Sequence, residues 1–234
     1  MDINDERIKY AVERTEILRP PKRSLSTFGT TNVYYYLLTE PVYNDVFGHT
    51  TETVIREGRV VAERPKIVTP YYLSHLDGFG AGAKRYFDML LREYGASAPG
   101  LLYGYRNESR GLNIVALNTL AVADKLNREI DQRSDPMVSI IKGEDELWDV
   151  SLMKFIYELT RNSLEHNVME LGSRGLLETD RAGIPAGARA RIEELFQHVS
   201  LGKAEPAELK TELDRWGVFE EYEDRFLAMF RERA

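Results

Sequence analysis

The stretch DVSLMKFIYELTRNSLEHNVMELG, residues 149–172, is the longest segment of this sequence with an unbroken helical period. Asp149 can cap its first turn, and Gly172 can end its last turn in a left-handed conformation. Two apolar rows predict a helix whose apolar face is wider than a surface helix needs. We therefore expect the central helix of a folded core. The rows hold Leu152, Ile156 and Leu159, and Met153, Tyr157, Leu164, Val168 and Leu171.

Upstream of this helix the sequence predicts a sheet followed by helices. Residues 25–39 alternate as a strand that is apolar on both faces, which is typical of a central strand. Residues 53–62 predict a hairpin with Glu57-Gly58 at its turn, and residues 66–73 predict a further strand. Helical spacing covers 83–94 and 116–130. The sequence Ser134-Asp135-Pro136 is a start signal for a short helix that ends at Gly143.

This order of elements predicts an α+β fold, with a mostly antiparallel N-terminal sheet packed with helices and a helical C-terminal region. We expect an α+β domain over 1–143, with the central helix at 144–175 completing its core. Glycine and proline residues then predict a linker at 176–188. Residues 189–234 predict a helical subdomain.

Composition excludes several classes of site and partner. Cysteine is absent from the 234 residues, which removes disulfides, thiolate metal sites and cysteine nucleophiles. The net charge is −7, and no run of Lys or Arg suggests a nucleic-acid surface, so we do not expect a nucleic-acid partner. No apolar run reaches the roughly 20 residues of a membrane span. We expect a soluble cytoplasmic protein.

A glycine-rich loop offers one candidate site. The sequence GFGAG lies between a predicted strand and a predicted helix, where bare backbone amides can bind an anion. Basic side chains in the first helical turn would add positive charge, and a nearby His and Asp could act as a base with its orienting carboxylate or as metal ligands. The spacing differs from the known nucleotide fingerprints, and a flexible turn is the alternative. The residues are Gly78, Gly80, Gly82, Lys84, Arg85, His75 and Asp77.

Histidine spacing gives no sign of a metal site. The four histidines show no pattern such as H-E-x-x-H, so we predict no protein-built metal centre. No pattern identifies a cofactor either. The histidines are His49, His75, His166 and His198.

Part of the central helix resembles a nucleotide-binding motif. Glu158, Asn162 and His166 are similar to the N-box helix of the gyrase and histidine-kinase ATPase family, and this resemblance implies a magnesium-holding Asn162. Residues 180–185 are similar to that family's adenine-contacting box. The two segments lie too close together for the strands that normally separate them, the first glycine of the second box is missing, and no glycine-rich lid follows. We therefore assign the chain to no family.

The C-terminal helices carry a stripe of aromatic residues that is too large to leave in water. No convincing catalytic set accompanies it. These observations favour a non-catalytic interaction or regulatory protein that self-associates, with the stripe docked on the main domain or on a second subunit. The alternative is a phosphate- or nucleotide-handling enzyme built on the Gly78 to Gly82 loop. The predicted interface residues are Trp216, Phe219, Tyr222, Phe226 and Phe230.

Overall fold

A computed structural model describes residues 3–41, 52–76, 89, 91–93 and 95–231. In chain order the described elements are α1 (Ile3–Arg14), β1 (Glu16–Arg19), β2 (Thr31–Thr39), β3 (Thr53–Ala62), β4 (Lys66–Val68), α2 (Pro70–Ser74), β5 (Gly100–Leu102), β6 (Tyr105–Val115), α3 (Thr119–Arg133), β7 (Val138–Gly143), α4 (Trp148–Ser173), α5 (Ala186–Ser200), α6 (Pro206–Trp216) and α7 (Phe219–Arg231).

The chain folds as two compact units. One unit comprises Met1–Arg64 with Tyr103–Val168, and the other comprises Pro65–Leu102 with Met169–Ala234. We call them the sheet unit and the helical unit. The division falls inside α4. The domain boundaries predicted at 143, 175 and 188 play no part in this division and stay predictions.

A five-stranded mixed sheet forms the centre of the sheet unit, in the order β1, β7, β2, β3, β6. Neighbouring strands are antiparallel except β2 and β7, which run parallel. The α+β class, with a mostly antiparallel sheet and C-terminal helices, is therefore confirmed. Among the described residues, no helix has both the length and the apolar character that crossing a membrane requires.

Helices cover both faces of this sheet. Successive side chains of β2 point to opposite faces because the side-chain period of a strand is two. Tyr35 and Leu37 pack with Phe155 of α4 in one core cluster. Leu38 packs with Val122 and Leu126 of α3 in another. The sheet unit is therefore layered as helix, sheet, helix.

Polar side chains on the inner face of α4 fix the segment that leads into β2. Ser163 Oγ accepts a hydrogen bond from Leu25 N at 3.0 Å. Asn167 Nδ2 donates to Leu25 O at 3.0 Å and to Thr27 Oγ1 at 2.7 Å, and Asn167 Oδ1 accepts from Tyr103 Oη at 3.1 Å. Asn167 is fully buried. Its amide can stay in the core because each of these groups has a partner.

The helical unit packs α5, α6 and α7 with α2 around its own core. Strands β4 and β5 form a two-stranded antiparallel sheet. Gly217 ends α6 in the left-handed conformation, with φ of 66°, and allows α7 to begin two residues later. The buried core residues are Val68, Tyr72, Ile184, Ala188, Ile192, Leu195, Phe196, Val199, Leu209, Leu213, Trp216, Val218 and Phe226.

Charged hydrogen bonds hold the segment between α4 and α5 in place. Asp180 Oδ1 accepts from Ala182 N at 2.9 Å and from Ile184 N at 3.0 Å. Arg189 Nε donates to Asp180 Oδ2 at 2.9 Å, and its Nη1 donates to Glu221 of α7 at 2.9 Å. Burial alone would raise the pKa of Asp180, but the bonds from Ile184 N and Arg189 lower it. The carboxylate of Asp180 therefore stabilises the conformation of this segment.

Two predictions about strands were wrong. Residues 138–143 form β7, which pairs with both β1 and β2, and not the helix that Ser134-Asp135-Pro136 suggested. Residues 53–62 form one continuous strand, and not a hairpin. Gly58 has a different role, because a side chain at this position would collide with the phenol of Tyr35.

Two further segments differ from the sequence-based expectation. The strand predicted over 66–73 ends at Val68, because Thr69 caps α2 through its hydroxyl and Pro70 begins that helix. Helix α4 continues past Gly172 to Ser173, and Gly175 is the residue with the left-handed φ, 68°. The helix predicted over 83–94 lies largely outside the described residues.

Candidate interaction surface

The predicted glycine-rich site lies almost entirely outside the described residues. Among its members, only His75 is described. It follows α2, is exposed, and has its ring centroid 4.5 Å from that of Tyr71. His75 Nδ1 lies 2.9 Å from Tyr71 O. The phosphate-binding role of this loop stays a prediction. The members outside the described residues are Asp77, Gly78, Gly80, Gly82, Lys84 and Arg85.

The predicted C-terminal interface residues pack mostly inside the helical unit. Trp216 is 3% exposed and lies 4.8 Å from Tyr72, centroid to centroid. Tyr222 stacks on Phe196 of α5 at 5.6 Å. These contacts within one chain cover a large part of the aromatic stripe that the sequence predicts as an interface.

Towards the C-terminus of α7 this aromatic packing becomes exposed. Phe226 is buried, and its ring lies 5.6 Å from Phe219 and 5.4 Å from Phe230. The side chain of Phe230 is 45% exposed, and that of Leu227 is 43% exposed. The end of α7 therefore presents a small apolar area beside a packed core.

The largest helix carries a longer exposed apolar area. On α4, Met153 is 64% exposed, Tyr157 65%, Leu164 43% and Val168 39%. We call these four residues the outer row. Their spacings of four, seven and four residues place them on one side of the helix. Leu171, which the sequence places in the same row, is buried.

The inner side of α4 is already packed. Leu152, Phe155, Ile156 and Leu159 are buried against the sheet. A helix in a globular protein usually keeps charged and polar residues on the side opposite its core. The outer row therefore exceeds what packing within the sheet unit requires, and it is a candidate interaction surface.

Charged residues flank the outer row on one side. Arg161 and Glu165 are exposed, and Glu158 is partly exposed. Lys154 Nζ lies 3.9 Å from Glu158 and donates to Val12 O at 2.9 Å and to Thr15 O at 2.8 Å. Lys154 thus joins α4 to the end of α1, whereas Arg161 and Glu165 face solvent.

A polar cavity of about 810 Å³ lies where the parallel strands β2 and β7 end. Ligands often bind beyond the carboxyl ends of parallel strands. Arg14 Nε pairs with Glu144 at 2.7 Å, and Arg7 pairs with Glu146. Among its described lining residues, carboxylates outnumber cations, which disfavours an anion such as phosphate. The lining residues are Glu6, Arg7, Tyr10, Glu13, Arg14, Glu16, Glu40, Pro41, Lys142, Gly143, Glu144, Asp145, Glu146 and Leu147.

The wall of this cavity is held by a hydrogen-bonded ion pair. Arg56 Nη1 lies 2.8 Å from Asp145 Oδ1 and donates to Thr39 Oγ1 at 2.8 Å. Thr39 Oγ1 in turn donates to Asp145 Oδ1 at 2.6 Å. Arg56 also lies over the ring of Trp148, 5.6 Å from its centroid. These bonds connect β2, β3 and the start of α4, which is a structural role.

Within the described ranges, no group of three or more His, Asp or Glu side chains is arranged to hold a metal ion. Asn162, which the ATPase-like pattern points to, is exposed on α4. Sequence reasoning missed the buried polar pair Ser163 and Asn167. The available signal was their spacing of four residues in line with Leu159, which puts polar groups on the helix's buried face.

Comparison with known proteins gives no family assignment. No protein-family model, no curated protein and no solved structure matches this chain.

Proposed function

We propose that this chain is a non-catalytic interaction protein that associates with a second copy of itself through the outer row of α4. The observation that carries the proposal is the exposure of four apolar side chains on a helix whose opposite side is already buried. On a folded protein, a contiguous area of exposed apolar side chains often marks a site of interaction.

The chemistry of the outer row suits a protein partner. Tyr157 supplies a large ring with a polar tip, and tyrosine is enriched at interfaces because it buries area at a low cost in side-chain entropy. Met153 has a flexible thioether that adapts to irregular partners. Leu164 and Val168 add aliphatic area. Met153, Leu164 and Val168 carry no acidic, basic or nucleophilic group, so the surface suits binding.

The proposal uses α4 and not the C-terminal aromatics, because the ring of Trp216 is packed on Tyr72 and that of Tyr222 on Phe196. The alternative function, phosphate or nucleotide handling by the Gly78 to Gly82 loop, stays a prediction. The proposal includes a cytoplasmic location, because a chain without cysteine forms no disulfide in an oxidising compartment. Cell fractionation tests that location.

The test replaces Tyr157 with glutamate and measures molar mass by light scattering over a range of concentrations. We expect the native chain to approach twice 26.9 kDa at high concentration and Tyr157→Glu to stay at 26.9 kDa. The matched control is Leu201→Glu, since Leu201 is also 65% exposed but follows α5. A native chain that stays monomeric throughout, or a Tyr157→Glu variant that still dimerises, would overturn the proposal.

A further inference from the structure

The outer row has a spacing that reads the same in both directions. Met153 and Tyr157 are four residues apart, Leu164 and Val168 are four residues apart, and the midpoint of the row falls between Thr160 and Arg161. A row with this symmetry matches an antiparallel copy of itself. Met153 then lies opposite Val168 of the second copy, and Tyr157 lies opposite Leu164.

A two-fold dimer can use a surface of this kind. The two subunits of such a dimer contact each other through the same patch, so each contact between one residue and another occurs twice. A symmetric row therefore suits a closed dimer, whereas a patch that meets a different surface builds a ring or an open chain of subunits.

The flanking charges favour the antiparallel arrangement over a parallel one. Helical geometry puts Glu158 and Arg161 on the same flank of the row. In an antiparallel pair, Arg161 comes within about one helical turn of Glu158 of the second copy. Each Arg161 therefore has a carboxylate of the other copy nearby. In a parallel pair in register, the flank that holds Glu158 and Arg161 would lie beside the opposite flank of the second copy, so Arg161 would not meet Glu158.

We infer that two copies of this chain form a closed dimer in which the two α4 helices pack antiparallel, with the two-fold axis passing between Thr160 and Arg161 of each. This inference rests on the proposed function and adds the arrangement of the partner. The row covers about 22 Å of helix at 1.5 Å per residue. A contact of that length is smaller than a standard interface, so the dimer dissociates on dilution.

Disulfide trapping tests the arrangement, because the chain has no cysteine of its own. The variants are Met153→Cys and Val168→Cys, which leave Tyr157 and Leu164 in place. A disulfide needs Cβ atoms about 4 Å apart. In the antiparallel dimer residue 153 of one copy meets residue 168 of the other, whereas the two copies of residue 153 are about 22 Å apart. The mixture should cross-link under mild oxidation, and neither variant alone should do so.

A mixture of Met153→Cys with Leu201→Cys measures cross-linking by random collision, since Leu201 is equally exposed but lies in the helical unit. We expect the mixture of Met153→Cys with Val168→Cys to exceed this control by at least tenfold. Cross-linking of Met153→Cys with itself would show a parallel pair and overturn the arrangement, but would leave self-association through α4 intact.

Two other outcomes separate the two proposals. A dimeric mass with cross-linking no higher than the random control would overturn the antiparallel arrangement. If that dimer also survives Tyr157→Glu, the proposed function fails as well. A monomeric mass for the native chain at every concentration would overturn the proposed function directly, and the arrangement with it.

Discussion

The C-terminal helices and α4 are both rich in apolar side chains, but the chain uses them differently. The aromatic residues of α6 and α7 pack on α2 and α5 within one unit, with Trp216 at 3% exposure. The outer row of α4 stays exposed although the same helix contributes Phe155 and Leu159 to a core. Apolar content alone therefore does not identify an interface. The reason for proposing α4 is apolar surface that stays exposed after the chain's own packing.

Helix length and context explain this difference. Helices α6 and α7 have 11 and 13 residues, and helices this short gain most of their stability from packing. They pack on each other, on α5 and on α2 in one core. Helix α4 has 26 residues and already lies on a sheet. Its outer row lies on the side of the helix away from the sheet core.

Replacing Trp216 with alanine should have the largest effect on folding. The side chain is buried, and its Nε1 donates to Glu212 at 3.2 Å. Loss of a buried aromatic typically costs about 3–5 kcal/mol in the free energy of unfolding. Urea denaturation followed by circular dichroism measures this cost. Phe230→Ala is the control and should cost far less, because Phe230 is partly exposed. A Trp216→Ala variant with native stability but half the native mass would make the C-terminal helices the interface.

Replacing Asn167 with alanine should have the next largest effect. The change leaves Leu25 O, Thr27 Oγ1 and the hydroxyl of Tyr103 without this partner in the sheet unit. An unsatisfied buried polar group costs about 1–3 kcal/mol, so we expect a loss of about 2–3 kcal/mol in the free energy of unfolding. The same urea titration measures it. Asn162→Ala, an exposed change on the same helix, should be nearly neutral. Equal losses for both variants would contradict the inner-face role of Asn167.

A buried tyrosine in the helical unit, Tyr72, and a half-buried tyrosine in the sheet unit, Tyr103, should make both units less stable at high pH. Burial, together with the Glu212 carboxylate, raises the pKa of Tyr72 to about 12, and burial with neighbouring Tyr105 raises the pKa of Tyr103 to about 12. The unfolded value is about 10, so the native state keeps protons that the unfolded state gives up. This stabilisation is complete below pH of about 10 and is lost as pH rises through about 12.

Urea midpoints measured at about pH 9 and about pH 11 test this dependence, together with the ultraviolet absorbance of tyrosinate. Tyr72→Phe should reduce the fall in stability between the two values, and Tyr103→Phe should do the same for the sheet unit. Absorbance that shows every tyrosine ionising near 10 in the folded chain would contradict the burial of these phenols.

Changes in the outer row should have the smallest effect on folding of the single chain. Tyr157→Ser removes an exposed ring, and surface changes usually shift the free energy of unfolding by no more than about 0.5 kcal/mol. Urea denaturation at a concentration low enough to keep the chain monomeric gives this value. A loss as large as that of Trp216→Ala would mean that Tyr157 supports the fold of its own chain, and the contrast between the two regions would disappear.

Regular periods made part of the fold predictable from the sequence. The long helical repeat of α4 forms as expected, and the two-sided alternation forms β2, although that strand begins at Thr31 and not at Leu25. Strand β7 was missed because the short apolar run in VSIIKG fits a strand or a helix, and the preceding Ser-Asp-Pro signal decided for a helix. Gly58 was taken for a turn because its contact with Tyr35 depends on strand pairing, which local sequence does not contain.

The candidate surface was predictable only in part. Both apolar rows of α4 are visible in the sequence, but a wide stripe fits a helix buried on all sides as well as a helix with an exposed row. Which row meets the sheet depends on how the neighbouring strands pair. The buried Asn167 was missed because a polar residue beside Val168 resembles an ordinary surface position until its partners at Leu25 and Thr27 are known.

The most direct measurement is sedimentation equilibrium of the native chain and of Leu164→Glu over a hundredfold range of concentration. Self-association through the outer row predicts a monomer–dimer equilibrium for the native chain, with limits of 26.9 kDa and twice that mass, and a monomer at every concentration for the variant. A native chain that remains at 26.9 kDa throughout, or a variant that dimerises as well as the native chain, would contradict the central claim that α4 carries the contact between two copies.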